Sequence, residues 1–187
     1  EKEKWIIVKN FLKKCSSEMV IDLGANDGRF SEIAAENSYV VSMDIDPIAV
    51  NNNYLKYNPK IIPIVTNLAN PSPAIGWNNN ERKSLFDRIK NNTCIALALI
   101  HHLRITHGIP LENQFEVFSK IAKFLIIEFV PKEDSQVKRL LQNRDDVFDD
   151  YDIKTFERVA FKNFENIEYL EVKDSLRKIY LMKNKLT

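Results

Sequence analysis

With 187 residues, 44% of them apolar and 28% charged, the chain has the size and balance of one domain that can bury a substantial core. Its 27 lysines and arginines against 26 aspartates and glutamates leave a net charge of +1, so no global field draws nucleic acid or an anionic membrane. The longest apolar run, CIALALI, is too short to cross a bilayer, and no charged-then-apolar signal opens the chain. Cys15 and Cys94 form neither a CxxC pair nor a disulfide framework, which points to a reducing, cytoplasmic setting. The chain begins EKEKW without a methionine, as a fragment of a longer protein would. A single domain over 1–187 is expected.

The basic cluster KNFLKK (9–14) has helical spacing and reads as a solvated face. EMVIDLG (18–24) reads as the first strand and RFSEIAAEN (29–37) as the helix after it. YVVSMDI (39–45) is a second strand, followed by a helix over 47–57 with Pro47 in its first turn. KIIPIVTN (60–67) is a third strand, placed at an edge by Pro63. After the polar NPSP stretch a helix is expected over 80–90. CIALALI (94–100) then forms a central strand with Cys94 buried. A helix over 111–122, a fifth strand over 124–130 and helices over DSQVKRLLQNR and DIKTFERVAF follow. The tail 164–183 alternates twice around a polar turn, as a hairpin does. Together these runs predict an α/β fold with a doubly wound, mostly parallel sheet and a C-terminal antiparallel hairpin.

VIDLGANDGRF (20–30) is a strand, a tight turn and a helix start. Gly24 and Gly28 allow the backbone a sharp turn and close approach to a ligand. The spacing is GxxxG, not the dinucleotide GxGxxG, and the Walker lysine is absent. Asp27 would repel a phosphate. Asp44, at the end of the second strand, can accept both hydroxyls of a ribose. Asn67 can offer its amide to an adenine edge, with Leu68 packing on the ring. Asp22 supplies negative charge for a cationic group. Two acids, no base in the turn and a ribose acceptor suit S-adenosylmethionine better than NAD.

VIDLGANDGRFSEIAAENSYVVSMDIDP, NLANPSP, ALALIHHL and IIEFVP together resemble the class I S-adenosylmethionine-dependent methyltransferases over nearly the whole chain. That resemblance implies a Rossmann-like seven-stranded sheet whose last two strands are the terminal hairpin. The family pattern DxGxGxG falls on Asp22, Gly24, Asn26 and Gly28, with asparagine for the middle glycine. By the resemblance Asp22, Gly24 and Gly28 cradle the methionyl and adenosyl parts, Asp44 binds ribose, Ile45 packs on adenine and Asn67 reaches its amino group. Position 67 departs from the family's usual acid. NPSPAIGWNNNERKSL, LALIHHL and EFVPKEDSQVKRLL are similar to methyltransferase-like proteins grouped with the nodulation protein NoeA.

NPSP (70–73) is not the NPPY-type motif of amino-methyltransferases, because it precedes the fourth strand and lacks the stacking aromatic. It is a proline-stiffened loop, or it lines a substrate mouth with Trp77 as an apolar wall. His101, the first polar residue after the fourth strand, is the candidate base for a hydroxyl or amine acceptor; the alternative is a histidine hydrogen-bonded in a loop. His102, His107 and Glu128 share no tight ligand spacing, so no metal is expected. Glu128, inside an apolar strand, is either structurally paired or faces the pocket. Asp134 is expected to cap a helix, and Phe148, Tyr151 and Phe156 to be core. The expected activity is methyl transfer to an oxygen, nitrogen or carbon nucleophile, on a small-molecule or saccharide-like acceptor before a nucleic acid. An NAD-dependent oxidoreductase and a non-catalytic S-adenosylmethionine-binding module are the alternatives.

Overall fold

The strands are β1 (Met19–Leu23), β2 (Tyr39–Asp44), β3 (Ile61–Val65), β4 (Asn92–Ala96), β5 (Ala122–Phe129), β6 (Phe164–Glu171) and β7 (Lys178–Asn184). In this computed structural model, which describes residues 2–142 and 145–186, they form one sheet in the order β3-β2-β1-β4-β5-β7-β6. The first five run parallel, and β7 lies antiparallel between β5 and β6. The sheet is thus doubly wound and mostly parallel, with the hairpin at its end. Pro63 sits in β3 at the outer edge, where a missing N–H costs no inner ladder bond.

The helices are α1 (Lys2–Cys15), α2 (Arg29–Ala35), α3 (Pro47–Leu55), α4 (Leu85–Arg88), α5 (Leu111–Ile121), α6 (Ser135–Leu141) and α7 (Ile153–Asn163). Strand alternation sends Ile21, Cys94, Ile127 and Tyr180 to one face, against Phe115 of α5 and Phe156 of α7. Val20, Ile95, Ile126 and Leu181 face the other way, against Val8 and Phe11 of α1 and Ala34 of α2. Phe156 packs 5.4 Å from Phe115, 5.1 Å from Phe129 and 5.2 Å from Tyr180 by ring centroid. Phe148 and Tyr151 are buried on the same side. Each such ring stabilises the core by about 1.5–3 kcal/mol. Among the described residues no helix is long and apolar enough to cross a membrane.

Capping fixes the helix starts. Asp46 accepts from Ile48 N–H ahead of Pro47, Asp134 from Gln136 N–H, and Asp152 from the N–H groups of Lys154 and Thr155. One element bears out the sequence reading and two differ from it. The basic cluster at 9–14 belongs to the fourteen-residue α1, whose apolar stripe is buried while Lys13 and Lys14 stay exposed. The helix expected over 80–90 shrinks to α4, because Ile75 pairs with Arg82 as a β-bridge and Ser84 starts the helix only there. The strand expected over 94–100 ends at Ala96, since Ala98 takes a left-handed φ of 48° and breaks the ladder. The expected helix DSQVKRLLQNR runs to 144; residues 143 and 144 lie outside the described residues.

Gly28, at the start of α2, has φ 80°, and a Cβ built on it would lie 2.3 Å from the Asn53 side chain. Asn53 is buried and donates to Ser42 Oγ at 2.8 Å, so this glycine leaves room for a polar link between α3 and β2. Gly108 has φ 69° but nothing within 4 Å of such a Cβ. Gly108→Ala is therefore expected to cost about 1–2 kcal/mol from backbone strain alone. Gly28→Ala should cost clearly more, adding the overpacking penalty of about 1–3 kcal/mol. Denaturant melts of the two variants check this; equal losses would contradict it.

Candidate functional site

The connection from β1 leads to α2 on one face and that from β4 leads to α5 on the other, so the two chain paths part above the sheet. Ligands in open α/β sheets bind at such a reversal, beyond the carboxyl ends of the strands. A cavity of about 550 Å³ opens there, between the turns after β1, β2, β3 and β4. A second cavity of about 550 Å³, beside Lys9, Ser16 and Ser38, lies at the opposite end of β1, away from those turns.

The turn after β1 is tied to the end of β2. The N–H groups of Gly24 and Ala25 both donate to the Met43 carbonyl, at 2.9 and 2.8 Å. Asn26 N–H donates to Asp44 Oδ2 at 2.7 Å, and Asp46 N–H to Oδ1 at 2.9 Å. Asp44 is thereby held at the cavity edge by two backbone donors, with lone pairs left over for a ligand. Asn26 stands at φ 51°, a left-handed conformation that asparagine tolerates among non-glycine residues. Gly24, Asn26, Asp44, Ile45, Asn67 and Leu68 all line the cavity. Asn67 Oδ1 accepts from Ala69 N–H at 2.9 Å, which fixes the turn after β3.

Asp22 and Gly28 do not line the cavity. Asp22 is 2% exposed and accepts from Ser31 Oγ at 2.7 Å, joining β1 to α2 beneath the turn. Gly28 faces Asn53 instead.

After β4, Leu97, Ala98 and Leu99 form the cavity wall, and Leu99 would sit 3.1 Å from a Cβ on Gly24. A π-helical turn follows over His102–Thr106, with His107 N–H donating to the His102 carbonyl at 3.2 Å. An α-helix advances about 100° per residue, which leaves residues five apart on different faces; the wider π turn brings His102 and His107 to one cavity. His102 is held below the usual imidazole range by desolvation and by His107, against the pull of Asp44.

His101 is placed otherwise than the sequence suggested. Because β4 ends at Ala96, His101 lies five residues past the strand, 1% exposed and outside the cavity lining. Among the described residues its Nδ1 has no hydrogen-bond partner, and desolvation, with His102, Arg177 and Lys4 adding, lowers its pKa to about 3. Glu128 is the structurally paired acid of the two alternatives: fully buried, it meets Lys4 Nζ at 2.8 Å and accepts from Ala98 N–H at 2.8 Å. His102 and His107 lie on the cavity and Glu128 behind its wall. Trp77 is 88% exposed and does not line it.

No protein-family model matches the chain. It is 36% identical over 159 residues to nodulation protein NoeA of Rhizobium meliloti (strain 1021), covering 82% of this chain and 33% of that protein; the chain thus spans about a third of the curated relative it matches. Among solved structures it is similar to N-methyltransferase NodS of Bradyrhizobium japonicum WM9 in complex with S-adenosyl-L-homocysteine. That TM-score is 0.72 at 12% identity, over 99% of this chain and 87% of NodS. The methyltransferase domain of bacterial CtHen1-C gives 0.63 at 16% identity, over 98% and 97%. The fold is that of the S-adenosylmethionine-dependent methyltransferases. Within a methyltransferase fold, the lining residues that the sequence left unassigned to a ligand include Leu97, Ala98, Leu99, His102, Leu103 and His107. The apolar ones read as strand or core, and the two histidines match no helical period.

Burial raises the Asp22 carboxyl from 3.8 to about 6, with the Ser31 hydroxyl opposing and the Asp44 charge adding. A carboxyl with a folded pKa above its unfolded one destabilises the fold when ionised. That penalty is full above about pH 6 and fades as the pH falls toward 3.8. Asp22→Asn is expected to melt higher than the parent at pH 7.5, with the gain shrinking toward pH 4. Thermal melts at both pH values check it, and a gain independent of pH would contradict it.

Proposed function

We propose that this chain is a methyltransferase that holds S-adenosylmethionine in the cavity between Gly24, Asp44 and Asn67. The methyl acceptor is an oxygen, nitrogen or carbon nucleophile on a small-molecule or saccharide-like compound. The observation that carries the reading is Asp44, pinned by two backbone N–H groups at the lip of a cavity whose lining, among the described residues, includes no lysine or arginine. A pyrophosphate-bearing dinucleotide needs donors or positive charge at the turn. An adenosine ligand with a sulfonium and an ammonium group does not, and a site with the Asp44 carboxylate at its edge and His102 held below the usual imidazole range accommodates it. The methyltransferase fold shared with NodS, whose structure holds S-adenosyl-L-homocysteine, supports the same choice.

The donor set fits that cofactor. Asp44 would accept the ribose hydroxyls, Ile45 and Leu68 offer apolar surface to the base, and the Asn67 amide stands at its edge. Gly24 and Asn26 bring main chain close to the amino-acid end. When bound, S-adenosylmethionine supplies an electrophilic methyl group on sulfur. The chain's own part is alignment: it fixes the donor's orientation and excludes water from the wall formed by Leu97, Leu99 and Leu103. His101 is neutral at pH 7 and carries a free ring nitrogen. It serves as proton acceptor only for an acceptor group that reaches past the cavity lining to it.

Calorimetric titration with S-adenosylmethionine, S-adenosylhomocysteine and NAD tests the reading. The two sulfur ligands are expected to bind and NAD is not. Asp44→Ala should weaken both sulfur ligands by roughly ten-fold or more, the value of hydrogen bonds to a charged acceptor. Binding of NAD alone, or of none of the three, would overturn it.

A further inference from the structure

On α1, Lys4 continues the buried stripe of Ile7, Val8, Phe11 and Cys15 at helical spacing. The stripe lies on the sheet face shared by Phe124 and Ile126 of β5. Alternation puts Glu128 on that same face and Lys123 on the other, so the charge at the top of the stripe meets the charge on this face of the strand. Lys4 Nζ lies 2.8 Å from Glu128 Oε2, and the same oxygen accepts from Ala98 N–H at 2.8 Å. Ala98 is the left-handed residue of the cavity wall, at φ 48°, a conformation that a residue with a Cβ keeps only where its surroundings hold it. Arg177, just before β7, lies 3.6 Å from Glu128 Oε1 and makes a two-pronged pair with Asp134 at 2.7 and 2.9 Å.

We infer that Glu128 is a positioning residue that fixes the Ala98 wall of the cofactor cavity. Lys4 makes the seating of α1 part of that device. The inference rests on the reading of the cavity as the cofactor site. A ligand that packs on the wall at Ala98 and Leu99 is then linked to α1, although α1 does not line the cavity. The linkage is reciprocal: firm docking of α1 favours the ligand, and the ligand favours docking.

Lys9, on the same helix, pairs with Glu36 at 2.7 Å and does not touch Glu128, so it separates this role from the general docking of α1. Lys4→Met is expected to weaken S-adenosylhomocysteine binding roughly ten-fold, a typical coupling between sites. Lys4→Arg should restore most of it, and Lys9→Met should leave it unchanged. In the ligand-free chain, hydrogen exchange at the Ala98 amide should quicken in Lys4→Met but not in Lys9→Met. Equal losses of affinity for Lys4→Met and Lys9→Met, or unchanged exchange at Ala98 in Lys4→Met, would overturn the inference. Failure of the parent chain to bind S-adenosylhomocysteine would sink the methyltransferase reading instead, and the exchange comparison then decides the coupling alone.

Discussion

Once β1 and β4 lie side by side with their connections leaving to opposite faces, a crevice above their carboxyl ends is a geometric necessity. Nothing in the backbone alone fills it. Every feature of the candidate site is an answer to that opening. The turn at 24–28 closes one side by hanging two N–H groups on the Met43 carbonyl. Asp44 closes a second side with its carboxylate held from behind, and its own carbonyl accepts from Thr66 N–H at 2.7 Å, which brings the turn after β3 alongside. The wall at Ala98 and the π-helical turn complete the enclosure. The site is therefore assembled from short loops pinned to strand ends rather than from a separate lid.

The sheet and one side of the cavity were legible in the sequence because their signals are local. Strands alternating with helix-length segments imply crossovers, and Pro63 marks an edge by chemistry alone. Gly24, Asn26, Asp44, Ile45, Asn67 and Leu68 stand at strand ends, where topology alone brings residues distant in the chain together. Other features depended on contacts that no local pattern carries. The end of β4 is set by a left-handed alanine held from β5, so the apolar run CIALALI reads past its true limit. His101 was assigned from that false limit. His102 and His107 are five apart, a spacing that only the π turn brings to one face. Gly28 looked like a ligand glycine, but its lack of a side chain makes room for Asn53. That residue lies in the helix expected over 47–57, but nothing local shows that its side chain turns inward against Gly28.

The buried charges follow one rule. Asp22 and Glu128 interrupt apolar strands at neighbouring depths, and each is kept by partners that also tie elements together: Ser31 on α2 for the first, Lys4, Arg177 and the Ala98 N–H for the second. Removing one partner from a buried ion pair such as Lys4–Glu128 costs about 3–5 kcal/mol because the remaining charge is stranded. Such pairs make the position of α1 and of the terminal hairpin a matter of the same carboxylate that shapes the cavity.

A crystal structure of the chain grown with S-adenosylhomocysteine tests the central claim most directly. The account predicts ligand density in the cavity beyond β1 and β4, with the ribose hydroxyls on the Asp44 carboxylate and the base between Ile45 and Leu68. Density elsewhere, or a ribose that leaves Asp44 unbonded, would contradict it.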